Sequence, residues 1–202
     1  MKRIVSIFIC AILFSLIGCN KSENDKITSN FYDNRENDKI EIYSDTNSKE
    51  VKDLLKSYGK SKNLTVEKAG KRNIVVIENE KFVKNENLWN DFYENIKNKK
   101  EDSILILQYT QQNDPILTYL SYKDDKFFMV EDDSRDQYRE SKERDYYEYT
   151  FKYLKMFEEN NKVYVYLLDD DEITLDKLNY SLLSSKVSEW IPYGFVFYYS
   201  KI

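Results

Sequence analysis

The chain predicts an α+β fold: an antiparallel sheet with two or three helices. Three observations point there. Apolar residues recur at helical spacing twice in the first half, then give way to short alternating or wholly apolar runs separated by turn residues. Helices early and strands late segregate the two element types, whereas a doubly wound sheet would interleave them. Over 202 residues, 15% aromatic content with 18 Tyr supplies enough apolar surface for one buried core.

The elements follow in order. Ile40 and Ile42 alternate with polar neighbours as a short strand. Asn47 and Glu50 have the spacing of a capping box, and Val51, Leu54, Leu55 and Tyr58 then mark one helix face, with Gly59 just past its end. Strands are expected at 64–66 and, more strongly, at 73–77. A second helix spans 86–98, with Trp89, Phe92, Tyr93 and Ile96 on one face. Lys97, Lys99 and Lys100 close it, where the helix dipole favours positive charge.

Strands dominate thereafter. Residues 104–107 are apolar on both faces, the mark of a central strand. Residues 116–122 and 127–130 flank Asp124-Asp125 as a hairpin. Tyr147, Tyr149, Phe151 and Tyr153 alternate with polar residues, and Asn160-Asn161 turns the chain into 163–168. A short helix carries Leu175, Leu178 and Leu182, and 194–199 makes a last strand.

The N-terminus speaks to location. Lys2-Arg3 precedes an apolar run, 4–17, broken only by Ser6 and Ser15. At about 14 residues it is shorter than the roughly 20 a membrane span needs, and it matches the head and core of a secretory signal. Leu16-Ile17-Gly18-Cys19 resembles the lipobox of bacterial lipoproteins. The resemblance implies cleavage before Cys19 and diacylation of its thiol, placing the chain on the extracytoplasmic face of the cell membrane. The expected organisation is a lipoprotein signal peptide at 1–18, lipidated Cys19 with a disordered tether to 38, and a single α+β domain at 39–202. The tether is Lys, Ser, Glu, Asn and Asp with few apolar residues, too little surface to offset its ordering entropy.

Composition narrows the chemistry. There is no His, and both Cys lie within the first nineteen positions. Imidazole bases, a Ser-His-Asp triad, Cys or His zinc sites and disulfides within the domain are therefore excluded. With Lys2 and Arg3 removed, 29 basic residues face 36 acidic ones, a formal net charge of −7 that argues against a nucleic-acid partner. No cofactor, metal or catalytic residue is expected.

Tyr109-Thr110-Gln111-Gln112-Asn113-Asp114-Pro115-Ile116, followed by the hairpin and Asp133-Ser134-Arg135-Asp136, resembles a family of Gram-positive lipoproteins from bacilli and clostridia that carries a domain of unknown function. The resemblance covers 73–138 and implies no activity. Members tend to show Tyr-Thr, a short polar pair, Gly-Asp-Pro-Ile and an Asp-x-x-Arg-Asp signature. Here Gln112 stands where the family has an acid and Asn113 where it has Gly, and the C-terminal Cys of many members is absent. Asn best tolerates a left-handed backbone among non-Gly residues, so the turn survives.

The motif has two readings. As scaffold, Asp114 starts a turn and Arg135 pairs with Asp114 or Asp136 to pin the loop to the hairpin. As a binding site, Asp114, Arg135 and Asp136 form a recognition surface with Arg135 presented to a carboxylate or phosphate. Two acidic runs, Glu131-Asp132-Asp133 and Asp169-Asp170-Asp171, lack calcium-loop spacing and read as solvated charge. The aromatic stripe 147–153 reads as core, with Trp190 and Tyr193 near it in sequence. The expected function is binding rather than catalysis, towards an envelope protein or cell-wall polymer. Alternatives are an envelope hydrolase using two carboxylates and a small ligand-binding lipoprotein.

Overall fold

The computed structural model describes residues 48–139 and 145–201. Cys19, the tether, the strand expected at Ile40 and Ile42, and Asn47 lie outside the described residues.

Helix α1 (Ser48–Ser57) buries Val51 and Leu55 completely, with Tyr58 closing the same face. The chain leaves it through Gly59 at φ +68°, a left-handed cap that any side chain strains. A Cβ there would also meet Asn63 Nδ2 at 2.9 Å. Gly59→Ala therefore lowers stability by about 1–2 kcal/mol, seen as a lower urea midpoint at unchanged slope.

The strand expected at 64–66 is absent. A 3₁₀ turn (Ser61–Asn63) leads instead into α2 (Val66–Gly70), whose N-cap Thr65 accepts a hydrogen bond from Lys68 N at 3.4 Å. Capping by Thr65 outweighs the β-preference of Leu64-Thr65-Val66, and Leu64 and Ala69 still reach the core.

Strand β1 (Val75–Glu78) turns through Asn79 and Glu80, both at positive φ, into β2 (Lys81–Lys84), an edge strand too polar to read from the sequence. Helix α3 (Glu86–Lys97) follows, then β3 (Asp102–Tyr109), β4 (Pro115–Lys123), β5 (Lys126–Asp132) and β6 (Tyr146–Phe151). These six strands form one sheet in the order β2-β1-β3-β4-β5-β6. The sheet is mixed rather than wholly antiparallel: β1 and β3 run parallel, because β2 and α3 between them return the chain in the same direction.

The chain bends at Lys152, whose N–H reaches Leu168 O at 3.2 Å, and enters a second sheet. This sheet orders β7 (Tyr153–Glu159), β8 (Lys162–Leu168) and β9 (Gly194–Ser200), all antiparallel. The α+β class holds, with four α-helices and two sheets among the described residues.

The large sheet is covered on both faces. Helices α1 and α2 pack Val51, Leu55 and Ala69 against the face of Leu105, Tyr119 and Val130. On the other face α3 and the second sheet pack Trp89, Phe92 and Phe197 against Ile106 and Met129. That is why Ile104 to Leu107 are buried without alternation. A bulge in β9 sets Phe197 opposite Val165 and Phe195 opposite Tyr166, which places both Val196 and Phe197 in the core. The Trp89 ring meets Phe197 edge-on at 4.7 Å.

Glu80 at the β1–β2 turn secures the end of the second sheet. Its carbonyl accepts from Ser200 N at 2.7 Å, and its carboxylate holds Lys162 at 2.6 Å and Ser200 Oγ at 2.7 Å. Helix α4 (Leu175–Leu183) lies on the outer face of that sheet, with Leu178 against Tyr166 and Leu168. Among the described residues, no helix is long and apolar enough to cross a membrane.

Candidate functional site

The motif residues come together at one end of the large sheet. Between β3 and β4, Thr110 N donates to Asp114 O at 2.9 Å, Asn113 N to Thr110 O at 2.9 Å, and Asp114 N to Thr110 Oγ1 at 3.1 Å. Asn113 takes φ +68°, the left-handed position expected of it. The Tyr109 hydroxyl donates to Leu64 O and ties this turn to the segment before α2. Asp114, buried, accepts from Gln137 N at 3.0 Å and Gln137 Nε2 at 3.4 Å, so its carboxylate links the turn to the loop after β5.

Arg135 does not pair with Asp114 or Asp136. Its partner is Asp132: Arg135 Nη1 donates to Asp132 Oδ2 at 2.8 Å, with the carboxylate fully buried. Arg135 Nε donates to Gly59 O at 2.7 Å and Nη2 to Leu55 O at 3.1 Å. Carbonyls at a helix C-terminus lack intrahelical donors, and Arg135 supplies two from a loop some eighty residues away in sequence. The Arg135 side chain is 5% exposed, with three donors used internally. It is a cap and a counter-ion, not a group presented to a ligand.

Asp136 is half-buried. Its N–H closes a turn on Asp133 O at 2.8 Å, and its Oδ1 accepts from Tyr138 N at 2.8 Å. Asp114, Arg135 and Asp136 are thus built into the scaffold. Sequence reading missed Asp132, although the signal was present. Alternation along β5 puts Asp132 on the face of Phe128 and Val130, where a charge needs a partner, and Arg135 stands three residues on.

Nor is 131–133 solvated charge. Asp132 is fully buried, and Asp133 is 7% exposed. Asp133 Oδ1 accepts no hydrogen bond among the described residues, and its counter-charge is Arg139 Nη1 at 3.7 Å, itself 2.7 Å from Asp145 Oδ1. Burial raises the Asp133 pKa against the pull of Arg139, with Asp132 and Asp136 adding to the rise. Glu131, on the opposite face of β5, is pushed up to about 7 by burial and the Asp133 charge. Residues 169–171 are exposed, as expected. Among the described residues, no group of three or more acids is arranged to hold a metal ion.

The aromatic stripe divides. Phe151 is core and stacks with Tyr149 at 6.3 Å, whereas the bend at Lys152 turns Tyr153 outward. Strongly exposed apolar side chains lie elsewhere, from α4 to the turn after it. Leu182, placed on the short helix from the sequence, is exposed, and with it Leu183 at 87%, Val187 at 71% and Trp190 at 58%. These side chains stand on a bonded frame. Trp190 Nε1 donates to Ser184 O at 2.9 Å, Ile191 N to Ser181 Oγ at 2.6 Å, and Lys186 pairs with Glu189 at 3.0 Å. Helical spacing marked only Leu182 of this group, while the helix buries Leu178 and Ser181.

Fold and site together define an α+β domain whose sequence motif braces a sheet end against a helix, with one apolar face left open. Residues 71–167 match the family described as Domain of unknown function (DUF4362). The matched span runs from just before β1 to the penultimate residue of β8 and includes Asp114, Arg135 and Asp136, while the helix that Arg135 caps lies outside it. Neither a curated relative nor a solved structure matches the chain.

Proposed function

We propose that the protein is a membrane-anchored extracytoplasmic lipoprotein that acts as an interaction module at the cell envelope, binding rather than catalysing. The observation that carries the binding reading is the open face of Leu182, Leu183, Val187 and Trp190. Large exposed apolar side chains, close in sequence and set on a hydrogen-bonded frame, are costly in water and mark interaction surfaces where they cluster. The anchoring rests on Lys2-Arg3, the apolar run and Gly18-Cys19, and the Gram-positive lipoprotein assignment rests on the 109–136 motif. Two acyl chains on Cys19 suffice for stable attachment, and the tether lets the domain reach a neighbouring envelope protein.

Two measurements test this. Cells fed an alkyne fatty acid label the wild-type chain, and Cys19→Ser abolishes the label and releases the protein from membranes. A photo-crosslinking residue at Val187 yields a discrete adduct in living cells, and one at Asp170 does not. An adduct that persists after Leu183→Ser with Trp190→Ser, or that forms equally from both positions, would remove the binding reading. Labelling that survives Cys19→Ser would remove the anchor.

A further inference from the structure

At the end of the large sheet away from Arg135, a groove of about 630 Å³ is formed by three separate stretches of chain. They are the last turn of α3, the β4–β5 hairpin and the bend between β6 and β7. The volume lies within the roughly 300–1,000 Å³ of small-molecule sites. Its lining is aromatic and apolar: Tyr93, Ile96, Tyr122, Phe127 and Leu154, with Tyr153 at the rim. Tyr122 and Phe127 lie 5.0 Å apart, and Tyr93 is backed by the Trp89 ring at 6.1 Å.

Four lysines surround this lining. Lys97 pairs with Glu94 at 2.8 Å and sits 5.5 Å from the Tyr93 ring centre. Lys99 stands 4.0 Å from Asp125 Oδ1, which also accepts the Tyr122 hydroxyl at 2.8 Å. The side-chain ammoniums of Lys126 and Lys152 have no partner among the described residues. Against Asp124 and Asp125 the groove carries net positive charge, in a chain of formal net charge −5. A concentration of positive charge over aromatic rings, on a molecule otherwise acidic, selects for an anion that also has a face to stack.

We propose that this groove binds an anionic glycan, with sugar rings on Tyr93 and Tyr153 and phosphate or carboxylate groups between Lys126 and Lys152. Tyrosine rings offer an apolar face to a sugar and a hydroxyl at its edge. Lysine ammoniums recognise either anion as point charges, without the planar fork an arginine would impose. The site is separate from the apolar face of α4. It relies on the envelope reading only for where the polymer would be met.

The test uses the full-length protein in detergent, titrated calorimetrically with poly(glycerol phosphate), with polygalacturonate and with neutral dextran. At least one anionic polymer binds, its affinity falls with added salt, and dextran does not bind. Lys126→Gln with Lys152→Gln, and separately Tyr153→Ala, each weaken binding at least tenfold with unchanged circular dichroism. Lys71→Gln with Lys177→Gln, an equal charge change elsewhere, leaves it within twofold. Preference for the phosphodiester or the uronate polymer identifies the anion. Absence of binding to both anionic polymers, equal binding of dextran, or equal loss from the two lysine pairs overturns the assignment. Should that happen while fatty-acid labelling and the Val187 adduct persist, the groove fails and the envelope reading stands.

Discussion

Arg135→Ala destabilises the fold by about 3–5 kcal/mol, the largest effect expected of any single substitution in the motif. Three losses coincide. Asp132, with no exposed surface, loses its counter-ion. Gly59 O loses the Arg135 donor, and Leu55 O keeps only that of Tyr58 N. A cavity opens where the guanidinium packed. Arg135→Lys recovers little, because one ammonium cannot reach three acceptors set in a fork. Combining Arg135→Ala with Asp132→Asn recovers more, since the stranded charge is removed. Urea midpoints for the four proteins check this, and a double variant no more stable than Arg135→Ala alone would contradict it.

The second large effect is on pH. Glu131 titrates at about 7 in the folded chain against 4.5 for the ordinary side chain, so between those values the folded state holds more protons than the unfolded one. Its contribution to stability is therefore fully present below about pH 4.5 and is lost as pH rises through 7. A gap of that size corresponds to up to about 3 kcal/mol. Asp133, raised in the same direction, adds to the slope. Glu131→Gln resembles the protonated acid at every pH. It makes the protein more stable than wild type at pH 8, nearly equal at pH 5, and flatter between. Parallel stability curves for the two proteins would contradict this.

Particular elements show where local sequence sufficed. Helices α1 and α3 follow the spacing of Val51, Leu55, Trp89 and Phe92, whose faces are buried as that spacing demands. Strand β3 and the turns at Asp124-Asp125 and Asn160-Asn161 also fall where expected, since a run buried on both sides and residues tolerant of positive φ are local signals. Two errors came from signals that were local but misleading. The run at 64–66 lacked weight against the Thr65 cap. Alternation continues unbroken from Tyr147 to Tyr153, so nothing in its period marked the bend at Lys152 that divides one sheet into two.

The candidate sites were less legible. Asp132 looked like one acid in a run, and its meaning depends on α1 lying over that end of β5. Lys126 and Lys152 are unremarkable in sequence; the β5–β6 register, with Phe127 opposite Phe151, sets them at one end of the sheet, where the end of α3 completes the groove.

By itself, the sequence determined the type and order of most elements and the absence of imidazole and thiol chemistry from the domain, because periodicity, turn preference and composition act over a few residues. Tertiary structure alone decided that Arg135 is a helix cap rather than a presented cation, that the strands part into two sheets, and that Leu182 and its neighbours face water. The physical reason is the same in each case. The cost of a charge or an apolar side chain depends on what covers it, and the covering element lies far away in the chain.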